Sequence, residues 1–204
     1  MQEKLVALTF DDGPNTVATP LVLDRIEKYG VVATFFINGK HVDSESIKVM
    51  KRALSLGCEY ENHSYSHFNM DKLSKEEILD EIKRTDDLII EHTGRKPIFF
   101  RPPFLSVQEV MFELIDHTFV GGFCPNDWDP KVTSEMTAKG MLETVQEDYI
   151  LLLHDSAHNS KTAYALDDII PALLKQGYKF VTLSELFRKR CKTIDHSRIY
   201  YNVD

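Results

Sequence analysis

The apolar run Leu5-Val6-Ala7-Leu8-Thr9-Phe10 ends in two adjacent carboxylates, Asp11-Asp12, followed at once by Gly13-Pro14. Neighbouring carboxylates repel unless a cation neutralises one of them or a proton sits between them. His63 and His67 supply the rest of a cation site: they stand four residues apart, a spacing that on a helical turn puts both imidazoles within reach of one ion. Two histidines and one carboxylate make the three protein ligands of an open catalytic metal site. A zinc-peptidase arrangement fits less well, because it needs Glu directly after the first His and Ser64 stands there. Only a turn lets two successive strand residues approach one spot, so one aspartate binds the ion and the other stays free. The plain alternatives are a solvated Asp-Asp turn and two histidines on a polar loop.

Three further segments carry chemistry. Arg101-Pro102-Pro103-Phe104 follows Ile98-Phe99-Phe100, so a guanidinium emerges from a buried strand and needs a carboxylate partner, for which the free aspartate would serve. The double proline stiffens the segment and leaves the Phe104 N–H as a candidate oxyanion donor. The apolar strand Ile150-Leu151-Leu152-Leu153 delivers His154 to its end, where a general acid could protonate a leaving group. Asp127 could orient that imidazole, and Trp128, the single tryptophan, could wall a small apolar pocket. For each the structural alternative is an ordinary ion pair, a backbone-bonded core histidine or a core tryptophan.

The elements that must position these groups alternate between short apolar runs and amphipathic stretches, the pattern of repeated βα units. Strands are expected at Leu5–Phe10, Val32–Phe36, Glu59–Asn62, Ile98–Arg101, Phe119–Phe123, Tyr149–Leu153 and Lys179–Thr182. Helices are expected around Pro20–Tyr29, Ser44–Leu56, Ser74–His92, Val107–His117, Met136–Val145, Ala165–Gln176 and Ser184–Arg190. Ser74 with Glu77 forms a capping box, and Gly94 and Gly177 close helices. The pattern predicts an α/β fold, a closed or nearly closed β/α barrel. In such a barrel the loops after the strands converge on one face, so polar residues at strand C-terminal ends read as chemistry. With no linker visible, one domain spans 1–204, its core about 4–187, and a polar tail from 191 wraps the surface.

At 204 residues with 43% hydrophobic and 27% charged residues, the composition is that of a globular protein with a sizeable core. A net charge of -8 argues against nucleic acid or an anionic membrane as partner. Cys58, Cys124 and Cys191 are odd in number and far apart, so no disulfide framework and no cysteine metal site is expected, although one disulfide is open. No stretch approaches the roughly 20 apolar residues of a membrane span, and no leader precedes the first strand. That start suits a cytoplasmic protein or a trimmed module.

Taken together, the segments resemble the polysaccharide deacetylases of carbohydrate esterase family four, the NodB-homology domain. Five motifs stand in the family's order: Thr9–Gly13 (TFDDG), His63–His67 (HSYSH), Arg101–Phe104 (RPPF), Asn126–Trp128 (NDW) and Leu152–His154 (LLH). The resemblance implies a distorted (β/α)7 barrel of NodB-homology type. It implies Asp11 as catalytic base, and Asp12, His63 and His67 as ligands of one divalent metal, zinc first, with cobalt or nickel in some members. Arg101 would hold Asp11, the Phe104 N–H would stabilise the oxyanion, His154 would be the acid and Asp127 its tuner. Trp128 and Leu152 would line the acetyl methyl pocket, with Pro103 and Tyr65 at the substrate. Two positions depart from the motifs: Phe104 stands where Tyr is usual, and Cys124 where an additional Asp often stands.

Phe99–Pro103, Phe119–Gly122 and Asn126–Trp128 look most like acetylxylan esterase modules of plant-cell-wall-degrading bacteria, as does the ending Gly177–Leu183. The resemblance therefore implies removal of O-acetyl groups from xylan, in xylan degradation, by a secreted, monomeric module of a larger enzyme. The alternative substrate is N-acetylglucosamine in chitin-like glycans or peptidoglycan. A non-catalytic carbohydrate-binding domain is the distant alternative, since base, acid, orienting Arg and three ligands all occur together.

Overall fold

The computed structural model describes residues 3–203. Seven strands form one parallel sheet: β1 (Lys4–Asp11), β2 (Thr34–Ile37), β3 (Glu59–Asn62), β4 (Phe99–Phe100), β5 (Thr118–Phe119), β6 (Tyr149–His154) and β7 (Tyr178–Val181). Their order is β5-β4-β3-β2-β1-β6, with β7 also on β1. β6 runs along one edge of β1 from Val6 to Asp11, so β2 at Thr9–Asp11 and β7 at Lys4–Ala7 divide the other edge between them. The intervening helices are α1 (Ala18–Tyr29), α2 (Ser46–Ser55), α3 (Lys75–Thr93), α4 (Met111–Leu114), α5 (Ser134–Thr144), α6 (Lys161–Lys175) and α7 (Leu183–Arg190). The sheet curls into the distorted barrel expected from the sequence.

Strand alternation decides which side of β1 does chemistry. Val6, Leu8 and Phe10 pack outward with Val22, Leu23 and Ile26 of α1 and Leu166, Ile169, Ile170 and Leu173 of α6. Leu5 and Ala7 pack inward with Phe36, Phe99, Val120, Ile150 and Val181. By the same period Thr9 and Asp11 continue the inward column, so Asp11 is aimed into the barrel mouth by the residues beneath it.

Caps behave as their sequences require. Ser74 and Glu77 make the reciprocal capping box at α3, and Gly94 ends that helix in the left-handed region at φ 71°. Several expected elements shrink, the strand expected at Ile98–Arg101 to Phe99–Phe100 among them, and two show why. The helix expected at Val107–His117 is reduced to α4, because Gln108 Nε2 reaches the carbonyls of Met70 (3.1 Å) and Leu73 (3.0 Å) and ties the preceding chain down as a loop. The strand expected at Phe119–Phe123 stops at Phe119 as a regular element, since the Gly121 carbonyl turns to a side chain; beyond it only isolated bridges remain, Val120 with Tyr200 and Phe123 with Leu151.

The tail departs from expectation more usefully. Its last residues enter the gap between β5 and β6 instead of only wrapping the surface. Tyr200 N–H donates to Phe119 O (2.9 Å), Gly121 N–H to Tyr200 O (2.7 Å), Ile150 N–H to Tyr201 O (3.2 Å) and Val203 N–H to Asp148 O (3.0 Å). Tyr200 and Val203 are buried in the inner core. The three cysteines are all free. Among the described residues no helix is long and apolar enough to cross a membrane.

Candidate active site

The C-terminal ends of the strands surround a cavity of about 490 Å³. Asp11, Asp12, His63, His67, Arg101, Phe104, Trp128, Leu152 and His154 all line it, together with Cys124 and Asn126. Asp127 stands behind His154. Pro103 and Tyr65 are not among the lining residues: Pro103 is buried, and the Tyr65 ring lies under the Arg84 guanidinium at 3.4 Å.

The backbone is strained around this cavity. Outside glycine, positive φ occurs among the described residues at Asp12 (80°), Ser64 (67°), His67 (60°), Phe104 (57°), Leu105 (53°) and Asn126 (60°), and away from the site only at Asp148. Such conformations persist where surrounding structure over-determines them, and they gather at functional sites. At Asp12 the turn separates the two carboxylates, leaving Asp11 inward on the strand register and bringing Asp12 across to the histidines.

Asp12 Oδ1 lies 3.3 Å from His67 Nε2 and 3.7 Å from His63 Nε2. His63 Nδ1 is 2.6 Å from the Arg101 carbonyl. A carbonyl only accepts, so Nδ1 carries a proton and Nε2 is the nitrogen left to a cation. Burial first, then the neighbouring His63, lowers the His67 imidazole to about 4, which keeps it neutral at ordinary pH. Burial works to raise Asp12, yet His63, His154, His67 and the Asn38 amide together hold its carboxyl below the usual range. One carboxylate oxygen and two imidazole nitrogens within 4.8 Å of one another make a donor set suited to one divalent cation.

Asp11 is held differently. Arg101, with no exposed surface, places Nη1 2.6 Å from Asp11 Oδ1 and 3.0 Å from Thr9 Oγ1, and Nη2 2.6 Å from the Gly121 carbonyl. The guanidinium also sits over the Phe36 ring at 4.1 Å. On the opposite wall, His154 Nδ1 donates to Asp127 Oδ1 at 2.8 Å, and the His154 N–H donates to Asp127 Oδ2 at 2.8 Å. Thr162 Oγ1 (2.6 Å) and Asn159 Nδ2 (3.1 Å) also donate to Oδ2, so the fully buried carboxylate cannot rotate away. Burial pulls the His154 imidazole down, but the hydrogen bond and charge of Asp127 outweigh it and hold its protonation well above the ordinary histidine range.

The family model for polysaccharide deacetylase matches residues 1–118. The chain belongs to the polysaccharide deacetylases. The chain is 42% identical over 188 residues, 92% of its length, to a bifunctional xylanase/deacetylase of Pseudobutyrivibrio xylanivorans, of which it covers 31%. It is 34% identical over 188 residues to the Listeria monocytogenes peptidoglycan-N-acetylglucosamine deacetylase PgdA, covering 92% of this chain and 40% of that protein. The chain thus spans well under half of these curated relatives. Its fold matches a family 4 acetyl xylan esterase from Clostridium thermocellum, solved in complex with a cobalt ion, at a TM-score of 0.94 and 42% identity over 98% of this chain and 99% of that one.

Several residues around this cavity are not among those singled out from the sequence. Thr9 shares the inward column with Asp11, and period-two alternation alone could have found it. Asn159 and the Gly121 carbonyl carry no local signal because they lie in loops, and Thr162 is brought in by the first turn of α6. Asp155 was passed over as well: fully buried beneath the Gly13 turn, it accepts from Thr19 Oγ1 at 2.5 Å. Burial, with Asp12 and Asp11 adding to it against the Thr19 hydrogen bond, raises Asp155 to about 7.

Proposed function

We propose that the protein is a metal-dependent hydrolase that removes acetyl groups from a polysaccharide, with O-acetyl esters of xylan as substrate. The observation that carries this reading is the division of the aspartate pair: Asp12 Oδ1 faces two imidazole Nε2 atoms, while Asp11 Oδ1 is taken by a buried guanidinium. Asp12, His63 and His67 would hold one divalent ion, with zinc first among candidates and cobalt or nickel as alternatives. Such an ion supplies Lewis-acid polarisation of the acetyl carbonyl and lowers the pKa of an attacking water.

The chain's own groups do the rest. Asp11 accepts the proton of the water, its free Oδ2 on the His63 side of the pocket. The Phe104 N–H donates to the oxyanion; that residue is held at φ 57°, and its ring meets His67 edge-on at 4.7 Å. His154, kept charged by Asp127, delivers a proton to the departing sugar oxygen. Trp128, 59% exposed, and Leu152 face the same cavity and would enclose the methyl group. The alkoxide of an ester leaves more readily than the nitrogen of an amide, so the same groups could serve either bond.

The xylan assignment is supported by the similarity to the xylanase/deacetylase and the acetyl xylan esterase; the similarity to PgdA supports peptidoglycan N-acetylglucosamine as second substrate. We further propose that the chain works as a module of a larger extracellular enzyme. Acetate release measured in parallel on acetylated xylan, N-acetylated chitooligosaccharides and peptidoglycan tests the order. Release from xylan is expected to be fastest, and rapid release from the amino sugars alone would reverse it.

A further inference from the structure

A second group of metal-ligating side chains lies on the wall opposite the first. The ligand atoms of Cys124, Asp127 and His154 all fall within 4.8 Å of one another. Asp127 Oδ1 accepts from two proton carriers, His154 Nδ1 at 2.8 Å and Cys124 Sγ at 3.7 Å. Its other oxygen is pinned by His154 N–H, Asn159 and Thr162, so the carboxylate is already aimed and held. Cys124 and His154 line the open cavity, which gives an ion a way in.

With zinc bond lengths of about 2.3 Å to sulfur and about 2.0–2.1 Å to nitrogen and oxygen, tetrahedral donors stand about 3.3–3.6 Å apart. The S···O separation already fits. The N···O separation is that of a shared proton and needs to open by about half an ångström.

We propose that Cys124, Asp127 and His154 form a second, inhibitory site for a thiophilic divalent cation, zinc or cadmium. One ion binds as the Cys124 thiol and the His154 Nδ1–H each release a proton to water; the bonds formed are to sulfur, imidazole nitrogen and Asp127 Oδ1. Asp127 Oδ2 keeps all its donors. The inhibitory consequence rests on the reading of His154 as the acid: a metallated imidazole is fixed to the wall and has lost the proton charge that Asp127 sustained. The presence of the ion itself does not depend on that reading.

Cadmium titrated into protein already carrying one equivalent of zinc is expected to produce a thiolate-to-cadmium charge-transfer absorption that saturates at one further ion. The band should vanish in Cys124→Ser and in Cys124→Ala and persist in Cys191→Ser. Outer partners alone are worth about 10–100-fold in metal affinity, so loss of the thiolate should raise the inhibitory zinc concentration by at least about tenfold. A band unchanged in both Cys124 variants would overturn the site. A Cys124-dependent band with acetate release undiminished by excess zinc would overturn the inhibition alone.

Discussion

Arg101 Nη1 lies 2.6 Å from Asp11 Oδ1, and the guanidinium that makes this contact has no solvent-exposed surface. A buried charge of that kind is tolerable only while its partner stays ionised and its geometry stays fixed. Thr9 and the Gly121 carbonyl complete the grip. Arg101→Met removes one partner of the pair, a loss expected to cost about 3–5 kcal/mol. Arg101→Lys keeps the charge but not the fork that reaches three acceptors. Both variants should show a lowered melting temperature in thermal unfolding, and kcat in Arg101→Lys should fall further than KM rises.

Asp127 is expected to govern the pH behaviour through His154. His154 is held above its ordinary range in the folded protein, so the Asp127 interaction contributes stability that is fully present below the unfolded value of about 6.5. It is lost as pH rises through the folded value. In Asp127→Asn the imidazole loses that support and gives up its proton at lower pH. The alkaline limb of the kcat profile on acetylated xylan should move to more acidic pH, and the stability advantage of wild type should shrink as pH rises.

Gly13 is required for space. A Cβ there would stand 2.7 Å from Asp155 Oδ2 and 2.9 Å from Oδ1. Asp155 cannot step back, because Thr19 holds its carboxyl and Asn15 and Asp11 hold its main chain. Gly13→Ala is expected to destabilise by about 1–3 kcal/mol through overpacking. Asp12 directly precedes the displaced turn, so metal affinity should fall with it, a change that calorimetric metal titration reads directly.

The terminal residues act at a distance. Ending the chain at Arg198 removes the hydrogen bonds to Phe119, Gly121, Asp148 and Ile150 and exposes the core around Tyr200 and Val203. Burying each such side chain is worth about 1.5–3 kcal/mol. The Gly121 carbonyl that fixes Arg101 also loses its anchor, and a loosening that raises the barrier by about 1.4 kcal/mol is a tenfold fall in kcat. The truncated protein should therefore melt earlier and turn over more slowly at saturating substrate.

The strands and the loops that follow them were legible because apolar runs and polar strand ends are local signals. Asp11, Asp12, His63, His67, Arg101 and His154 meet at one mouth because each sits at or just after the C-terminal end of a parallel strand. What the sequence hid was non-local. The insertion of residues 200–203 beside β5 depends on a gap that exists only in the folded sheet, and the positive φ at Phe104 falls on a residue type that does not announce it. Tyr65 and Pro103 lie off the cavity lining, as one faces Arg84 and the other the interior.

The division of the aspartate pair into a metal ligand and a base is tested most directly by adding zinc back to metal-stripped wild-type protein and to Asp11→Asn, measuring bound zinc and acetate release together. Wild type should regain activity in proportion to the first equivalent bound, while Asp11→Asn binds that equivalent and stays about 10²–10⁴-fold slower. Stripped protein that remains active, or zinc-loaded Asp11→Asn that hydrolyses at the wild-type rate, would contradict the account.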